Sequence, residues 1–228
     1  MKKISNRFTW KICGEAGFGV NSSGLLFSKL CARSGLFAYE YSEYPSLIRG
    51  GHQTSQITVD VEPIFSEHYN VDILIALNKQ SIVAHLDELS GNSAMIYDSS
   101  QFQLSSIQDI VGEKIKKTFL LGVPFTQLAI EASNLNLLRN TVAIGASLGL
   151  LQYNPEELFG LITEEFAKKD PKIVEMNKKA VILGFEYVRK NYDEFCSTFM
   201  FQMEKMPQVN KTMVISGNEA IGIGAIRG

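Results

Sequence analysis

The feature that most constrains the fold is a glycine-rich turn, GEAGFG, at residues 14–19. It follows the apolar run FTWKIC and precedes an amphipathic segment over about residues 20–34. A strand, a glycine turn and a helix in this order place backbone N–H groups at a helix N-terminus, where an anionic ligand group can be held. We therefore predict a ligand-facing turn in which Gly14, Gly17 and Gly19 are the contact residues.

Strand and helix patterns alternate through the first half of the chain, which indicates an α/β fold. Further strand-like segments after the turn are LFAYEY, QTSQITVD, VDILIAL and SAMIYD. VDILIAL is apolar almost throughout, as expected of a strand covered on both faces, whereas QTSQITVD alternates like a half-exposed strand. We expect a mostly parallel sheet, with a mixed sheet left open, and a helical C-terminal half.

The helical half carries clear start signals. Residues 154–157 supply an N-cap, a proline at the first helical position and a glutamate at N3, and residues 170–171 start another helix similarly. Before both of them, the segment over residues 141–153 is apolar all round with little bulk, which predicts a core helix in close contact with its neighbours. Asn140 and the buried-face Asn177 are expected to hydrogen-bond adjacent backbone.

The pattern weakens after Tyr192 and returns near the end of the chain. Residues 191–212 look like a connector, and the segment TMVISGNEA after it looks like a strand. We predict one domain over residues 1–190, a linker over residues 191–212 and the truncated start of a further domain over residues 213–228.

Composition excludes several classes of protein. A formal net charge of -2 over 228 residues gives no electrostatic case for nucleic acid or an anionic membrane. The N-terminus lacks the apolar core of a secretory signal, and no run approaches the roughly 18 apolar residues of a membrane span, so a cytoplasmic location is expected. The 3 cysteines lack C-x-x-C spacing, which predicts neither a zinc site nor an iron–sulfur cluster.

A second loop, EYPSLIRGGH over residues 43–52, contains a single arginine, Arg49. Tyr44 fixes the loop's entry, because a residue before a proline, here Pro45, is pushed toward extended conformations. Gly50 and Gly51 let the backbone bend while the guanidinium grips a carboxylate or phosphate. The alternative for this arginine is a structural ion pair with a nearby glutamate.

No residue is predicted to be catalytic. His52 has the chemistry of a general acid or base, although a lone histidine beside a turn more often only forms hydrogen bonds. His68 and His85 have no such context. The chain shows neither a G-x-S-x-G elbow nor an evident grouping of nucleophile, base and orienting acid.

The glycine turn also allows a dinucleotide interpretation, with Glu40 as the acid that meets a ribose hydroxyl. Ala16 occupies the second glycine position of that fingerprint. Its Cβ obstructs the approach of the backbone to a pyrophosphate, which makes this the weaker alternative. A turn that only lets the helix pack on the strand is the other alternative.

Taken together, these segments resemble the gamma domain of the 2-oxoacid:ferredoxin oxidoreductases, the family of pyruvate, 2-ketoisovalerate and 2-oxoglutarate oxidoreductases. The resemblance covers about residues 10–190 and rests on GEAGFGV, EYPSLIRGGHQTSQI, VDILIALN and LRNTVAIGASLGLL. The tail MVISGNEAIGIGAIRG is similar to the opening of the alpha, or pyrimidine-binding, domain that follows gamma in fused alpha subunits.

The resemblance implies a three-layer α/β/α sandwich that serves subunit assembly and shares in coenzyme A binding. The family reaction decarboxylates a 2-oxoacid on thiamine diphosphate, passes electrons to iron–sulfur clusters and forms an acyl-coenzyme A. Both of those cofactors are expected in partner domains, so this chain alone would be inactive and would hold no cofactor firmly. The implied partners are alpha and beta domains or subunits in an oligomer, with a ferredoxin-type electron acceptor.

The resemblance also bears on single residues. Arg49 stands in the R-G-G triplet of the family motif and is the best candidate for contact with a coenzyme A phosphate or a neighbouring subunit. Ala16 and Phe18 stand where many members have glycine and glutamine, which favours a packing role for the turn. A stand-alone nucleotide- or dinucleotide-binding module and a purely structural assembly domain remain the rival interpretations.

Overall fold

The structure is a computed structural model that describes residues 3–46, 50–103, 105, 112–134, 136–207 and 212–228. Its strands are β1 (Ile4–Ser5), β2 (Phe8–Glu15), β3 (Phe37–Glu43), β4 (His52–Asp60), β5 (Val71–Ala76), β6 (Leu89–Asp98), β7 (Phe119–Val123) and β8 (Phe201–Gln202). Its helices are α1 (Val20–Arg33), α2 (Lys79–His85), α3 (Phe125–Ser133), α4 (Arg139–Leu151), α5 (Glu156–Glu165), α6 (Pro171–Asn191), α7 (Asp193–Thr198) and α8 (Gly217–Arg227).

The main sheet has the strand order β3-β4-β2-β5-β6-β7. Strands β2, β5, β6 and β7 pair in parallel, in that order across the sheet. Strand β4 runs antiparallel to both of its neighbours, β3 and β2. The prediction of a mostly parallel sheet is confirmed. The sheet is also mixed, as the alternative allowed, because β4 is antiparallel. The short connection over residues 44–51 explains the reversal, because antiparallel strands can be joined by a hairpin whereas parallel strands need a long crossover.

Alternate residues of the strands face two different layers of the molecule. One face packs beneath α1 and the C-terminal helices through large apolar side chains, among them Trp10, Ile12, Ile73, Ile75 and Leu121. The opposite face packs on α2 and the segment after it through a smaller set, among them Cys13, Leu74, Met95, Ile82 and Leu86. The predicted three-layer α/β/α sandwich is therefore confirmed, with one thick and one thin outer layer.

Helices α4 and α6 touch backbone to backbone. A Cβ added to Gly145 would lie 2.1 Å from the carbonyl oxygen of Val181, and one added to Gly184 would lie 2.1 Å from that of Val142. Residues with side chains at these positions would hold the helix axes further apart. The prediction of a core helix in close contact with its neighbours is confirmed.

Residues 191–207 fold onto the domain, so the predicted linker over residues 191–212 is wrong for this part. Strand β8 pairs in parallel with β1, and Phe199 and Met203 are buried. The Met206 N–H donates to the Ser34 carbonyl at 2.8 Å. The segment lacks periodicity because its elements are short, yet its apolar side chains are held by the core.

The expected strand TMVISGNEA is also wrong, because residues 212–216 form neither strand nor helix and residues 217–220 open α8. Ser216 and Glu219 form a reciprocal capping box, in which each side chain accepts from the other's backbone N–H. The assignment of residues 213–228 to the start of a further domain stays a prediction. Every helix within the described ranges is too short or too polar to cross a membrane.

Candidate functional site

The two predicted site loops meet at one edge of the sheet. Glu15 ends β2 and pairs with His52, the first residue of β4. The Ala16 N–H donates to the Gly51 carbonyl at 3.0 Å, which ties the glycine turn to the second loop. This is the edge where the parallel strands end, and ligands of open α/β sheets bind outside such carboxyl ends.

The glycines of the first turn have different structural roles. Gly17 and Gly19 have φ of 99° and 77°, a left-handed conformation in which side chains are strained. Gly19 is the N-cap of α1 and offers no side chain to the free N–H groups of the first turn. Gly14 instead packs against the end of β5, since an added Cβ would lie 3.2 Å from side-chain atoms of Leu77.

The second loop is described only in part. Tyr44 is 72% exposed and Pro45 is half-buried, so both are placed where a partner or ligand can reach them. Gly50 and Gly51 have φ of 72° and 86°, which explains why glycine is needed at both positions. Arg49 lies outside the described residues, and its assignment to coenzyme A or a subunit contact stays a prediction.

A cleft of about 410 Å³ opens between the glycine turn, α1 and the start of α4. Its polar lining includes Lys29 and Lys169, together with the side chains of Asn140 and Asn177. The Asn140 side-chain amide donates to Ser23 Oγ at 3.0 Å and to the Gly19 carbonyl at 3.4 Å. The prediction that this asparagine fixes adjacent backbone is confirmed, and the backbone that it fixes is the glycine turn.

Asn177 is satisfied in the same way. It is buried, its amide donates to the Ile173 carbonyl at 2.8 Å, and its oxygen accepts from Thr141 Oγ1 at 3.2 Å. The Lys29 ammonium on the opposite wall lies 3.1 Å from a Glu165 carboxylate oxygen. The cleft thus combines a held backbone turn with two lysines, one of which is paired with a glutamate of the same lining.

Arg139 is a site residue that the sequence interpretation missed. Its guanidinium carbon lies 3.5 Å from the centre of the Phe18 ring, and its buried Nε has no hydrogen-bond partner among the described residues. Burial lowers the pKa of this guanidinium, while the charges of Asp98 and Glu15 act in the opposite direction. A half-buried cation beside the glycine turn is suited to an anionic group. The sequence signal that could have identified this arginine is its position just before the apolar segment over residues 141–153.

The geometry does not support the dinucleotide role of Glu40. Its carboxylate accepts from Ser55 Oγ at 2.8 Å and from Ser28 Oγ at 3.2 Å. It also closes over Gly24, where an added Cβ would lie 2.7 Å from the carboxylate. In addition, β4 separates its strand from β2, so the acid is not on the strand next to the glycine turn.

Two histidines far apart in sequence meet on the thin face of the sheet. The Nε2 atoms of His52 and His85 lie 2.7 Å apart. His85 Nδ1 lies 2.8 Å from Glu88 Oε1, and Lys11 Nζ lies 2.6 Å from the other oxygen of that carboxylate. Cys13 adjoins both rings. Sequence reasoning gave His85 no role, because α2 brings it to β2 and β4 only in the fold.

The environment of these groups changes their proton affinities. Burial lowers the pKa of His52, and the neighbouring His85 and Lys11 lower it further. Burial alone would raise the pKa of Glu88, but hydrogen bonds from His85 and Lys11 outweigh it and lower that pKa. The cluster therefore favours a neutral His52 beside an ionised carboxylate.

The fold is an α/β domain in which the two candidate site loops meet at the carboxyl ends of the parallel strands. The sequence model of the family described as pyruvate ferredoxin/flavodoxin oxidoreductase matches residues 9–187. The chain belongs to this family.

Curated relatives agree with this assignment. The 2-oxoglutarate synthase subunit KorC of Archaeoglobus fulgidus is 29% identical over 79% of this chain and 87% of its own length. The 2-oxoacid:ferredoxin oxidoreductase subunit alpha of Saccharolobus solfataricus is 23% identical over 97% of this chain. This chain spans only 39% of that longer relative.

Solved structures share the fold. One is the 2-oxoglutarate:ferredoxin oxidoreductase of Magnetococcus marinus, which was solved with 2-oxoglutarate, coenzyme A and succinyl-CoA bound. It is 23% identical to this chain with a TM-score of 0.82, and the match covers 97% of this chain and 37% of the other. The pyruvate oxidoreductase subunit PORC of Thermotoga maritima matches 79% of this chain and 96% of its own with a TM-score of 0.66 at 17% identity.

Proposed function

We propose that this chain is the gamma component of a thiamine diphosphate-dependent 2-oxoacid:ferredoxin oxidoreductase, which converts a 2-oxoacid to an acyl-coenzyme A in the cytoplasm. Its own part is to assemble with alpha and beta domains and to contact coenzyme A at the carboxyl edge of the sheet. The observation that carries this role is the junction of the two loops, where the Ala16 N–H meets the Gly51 carbonyl.

The chemistry of the edge supports a coenzyme A contact. Coenzyme A presents phosphate groups, which helix N-termini and guanidinium groups bind well. The N-terminus of α1 opens beside the cleft at Gly19, and Arg139 stands next to it on Phe18. Arg49 is also proposed to bind a coenzyme A phosphate at this edge. The other proposed cofactor-binding residues of its loop are Tyr44, Pro45, Gly50 and Gly51.

The chain does not supply the family's electron-transfer groups. An iron–sulfur cluster of the common type needs four cysteine thiolates, and the chain has 3 cysteines. Each of the three is buried, with Cys13 in the core cluster on the thin side of the sheet and Cys31 and Cys196 in the larger cluster on the other side. The clusters are therefore assigned to partner domains. Thiamine diphosphate is assigned there by the family resemblance, and electrons would leave the complex to a ferredoxin-type acceptor.

A thermal melt of the purified chain with coenzyme A, NAD or buffer tests the ligand role. A ligand present at a hundred times its dissociation constant adds about 2.7 kcal/mol to stability. We expect protection by coenzyme A and none by NAD. Protection by NAD alone would instead favour a dinucleotide module, and no shift with either would leave an assembly role only.

Two further measurements separate the parts of the proposal. Arg49→Ala should remove most of the protection by coenzyme A, and an unchanged shift would reject the role of this arginine. The chain alone, given a 2-oxoacid, thiamine diphosphate and a viologen dye, should show no dye reduction. Measurable turnover by the isolated chain would contradict the assignment of catalysis to partner domains.

A further inference from the structure

The cluster beneath the loop junction has the composition of a metal site. One ligand atom from each of Cys13, His52 and His85 lies within 4.8 Å of the others. A thiolate with two imidazoles is a ligand set that suits Zn²⁺ and its neighbours in the first transition row. These three residues come from β2, β4 and α2, so the site is formed by three separate elements of the fold.

The two imidazoles are close to a coordinating arrangement. In a tetrahedral site with Zn–N bonds of about 2.0–2.1 Å, the two nitrogens stand about 3.3 Å apart. The Nε2 atoms of His52 and His85 are 2.7 Å apart. A small opening of the rings therefore brings both lone pairs onto one ion, and half-buried His52 leaves a route from solvent.

The surroundings of His85 are those of a metal ligand. Its Nδ1 faces Glu88 at 2.8 Å, and that carboxylate is held in turn by Lys11 at 2.6 Å. A carboxylate on the far nitrogen fixes the tautomer, so that Nε2 keeps a free lone pair. This pattern recurs at histidines that bind metals in proteins.

Two orphaned polar atoms lie at the same place. Within the described residues, His52 Nδ1 and Thr54 Oγ1 are buried without a hydrogen-bond partner. Thr54 is only 1% exposed and lies directly opposite Cys13 in the antiparallel pair of β2 and β4. Buried polar groups left unpaired each cost on the order of 1–3 kcal/mol, so these atoms mark a place where a further polar species, such as the water that completes the coordination of a three-ligand ion, would be stabilised.

We propose that Cys13, His52 and His85 form a binding site for a divalent metal ion of the Zn²⁺ type. On binding, the Cys13 thiol loses its proton to solvent and forms the metal–sulfur bond, while the His52 proton moves from Nε2 to Nδ1. The ion fastens α2 to the strand pair that carries both site loops. It therefore stabilises the loop junction from below.

Metal binding to the purified chain tests this site. After treatment with a chelator, the chain is titrated with Co²⁺ and, separately, with Zn²⁺. We expect one equivalent of either ion per chain, a thiolate-to-cobalt charge-transfer absorption in the near ultraviolet, and a higher melting temperature. An absence of stoichiometric binding would overturn the proposal and leave a pair of histidines that share one proton.

Matched variants identify the ligands. Cys13→Ser should abolish the charge-transfer band and weaken binding at least tenfold, and His52→Gln should weaken binding similarly. Cys31→Ser, at another fully buried cysteine, and His68→Asn, at an exposed histidine, should leave both readouts unchanged. Full binding with an intact band in Cys13→Ser would refute the assignment, and His52→Gln gives an independent answer if that serine variant folds poorly.

Discussion

The guanidinium carbon of Arg139 lies 3.5 Å from the centre of the Phe18 ring. Phe18 belongs to the glycine turn and lines the cleft, and Arg139 begins α4, so this stack joins the turn to the helix. It also orients the guanidinium, because the ring face holds one side of its plane. Phe18 therefore supports a cation beside the glycine turn.

Replacing this cation should weaken the proposed binding of coenzyme A. We expect Arg139→Gln to remove at least half of the thermal protection given by coenzyme A, since the variant keeps hydrogen bonding but loses the charge. Stability without ligand should change little, because a cation–π contact is worth about 0.5–2 kcal/mol. Arg7→Gln is the control, since Arg7 pairs with Asp60 at the opposite edge of the sheet; equal losses in both variants would contradict the prediction.

The sequence predicts the strands and helices well, because their signals are local. The glycine turn, the apolar run of β5 and the proline-marked starts of α5 and α6 each mark an element within a few residues. The sheet order and the position of β4 between β3 and β2 depend on pairing between distant segments. Local patterns do not encode that pairing.

The site shows the same division. The link between the glycine turn and Gly51 could be expected once both loops were placed at strand ends. The contact between His52 and His85 could not be expected, because 33 residues separate them and the placement of α2 against the sheet brings His85 to His52. Arg139 was missed for a similar reason. Its partner Phe18 belongs to the glycine turn, which is distant in sequence and is brought next to α4 only by the fold.

At Gly145, where α4 packs on α6, there is no room for a side chain. We expect Gly145→Ala to destabilise the chain by about 3 kcal/mol, because overpacking of a well-packed core costs about 1–3 kcal/mol and here the obstacle is the Val181 backbone. For a chain of this size that corresponds to a fall in melting temperature of about 6–12 °C. Gly222→Ala, in a helix position with open space, should be neutral or slightly stabilising. Similar melting curves for the two variants would disprove the close contact.

Asp72 should make stability depend on pH. Burial raises its pKa, although hydrogen bonds from Ser90 Oγ and the Thr9 N–H partly oppose the shift. The native state therefore binds more protons than the unfolded state between the unfolded pKa of about 3.9 and the raised native value. The free energy of unfolding consequently falls as pH rises through this window.

Asp72→Asn should remove this dependence. Urea unfolding of both proteins between about pH 4 and pH 7 should show the stability of the original chain, relative to the variant, declining as pH rises. The asparagine can still accept from the Thr9 N–H and donate to Ser90, so the comparison isolates the charge. A difference that stays constant, or grows with pH, would show that Asp72 does not titrate in this way.

The segment after α6 should be necessary for stability, because its aromatic side chains complete the core. Phe199 is fully buried and meets Phe119 of β7 edge to face, with ring centres 5.8 Å apart. Phe199→Ala should cost about 3–5 kcal/mol, the usual penalty for removing a buried phenylalanine. Phe65→Ala, at a ring that is 89% exposed, should cost less than about 0.5 kcal/mol. If urea unfolding gave both variants the stability of the original chain, residues 191–207 would behave as a connector after all.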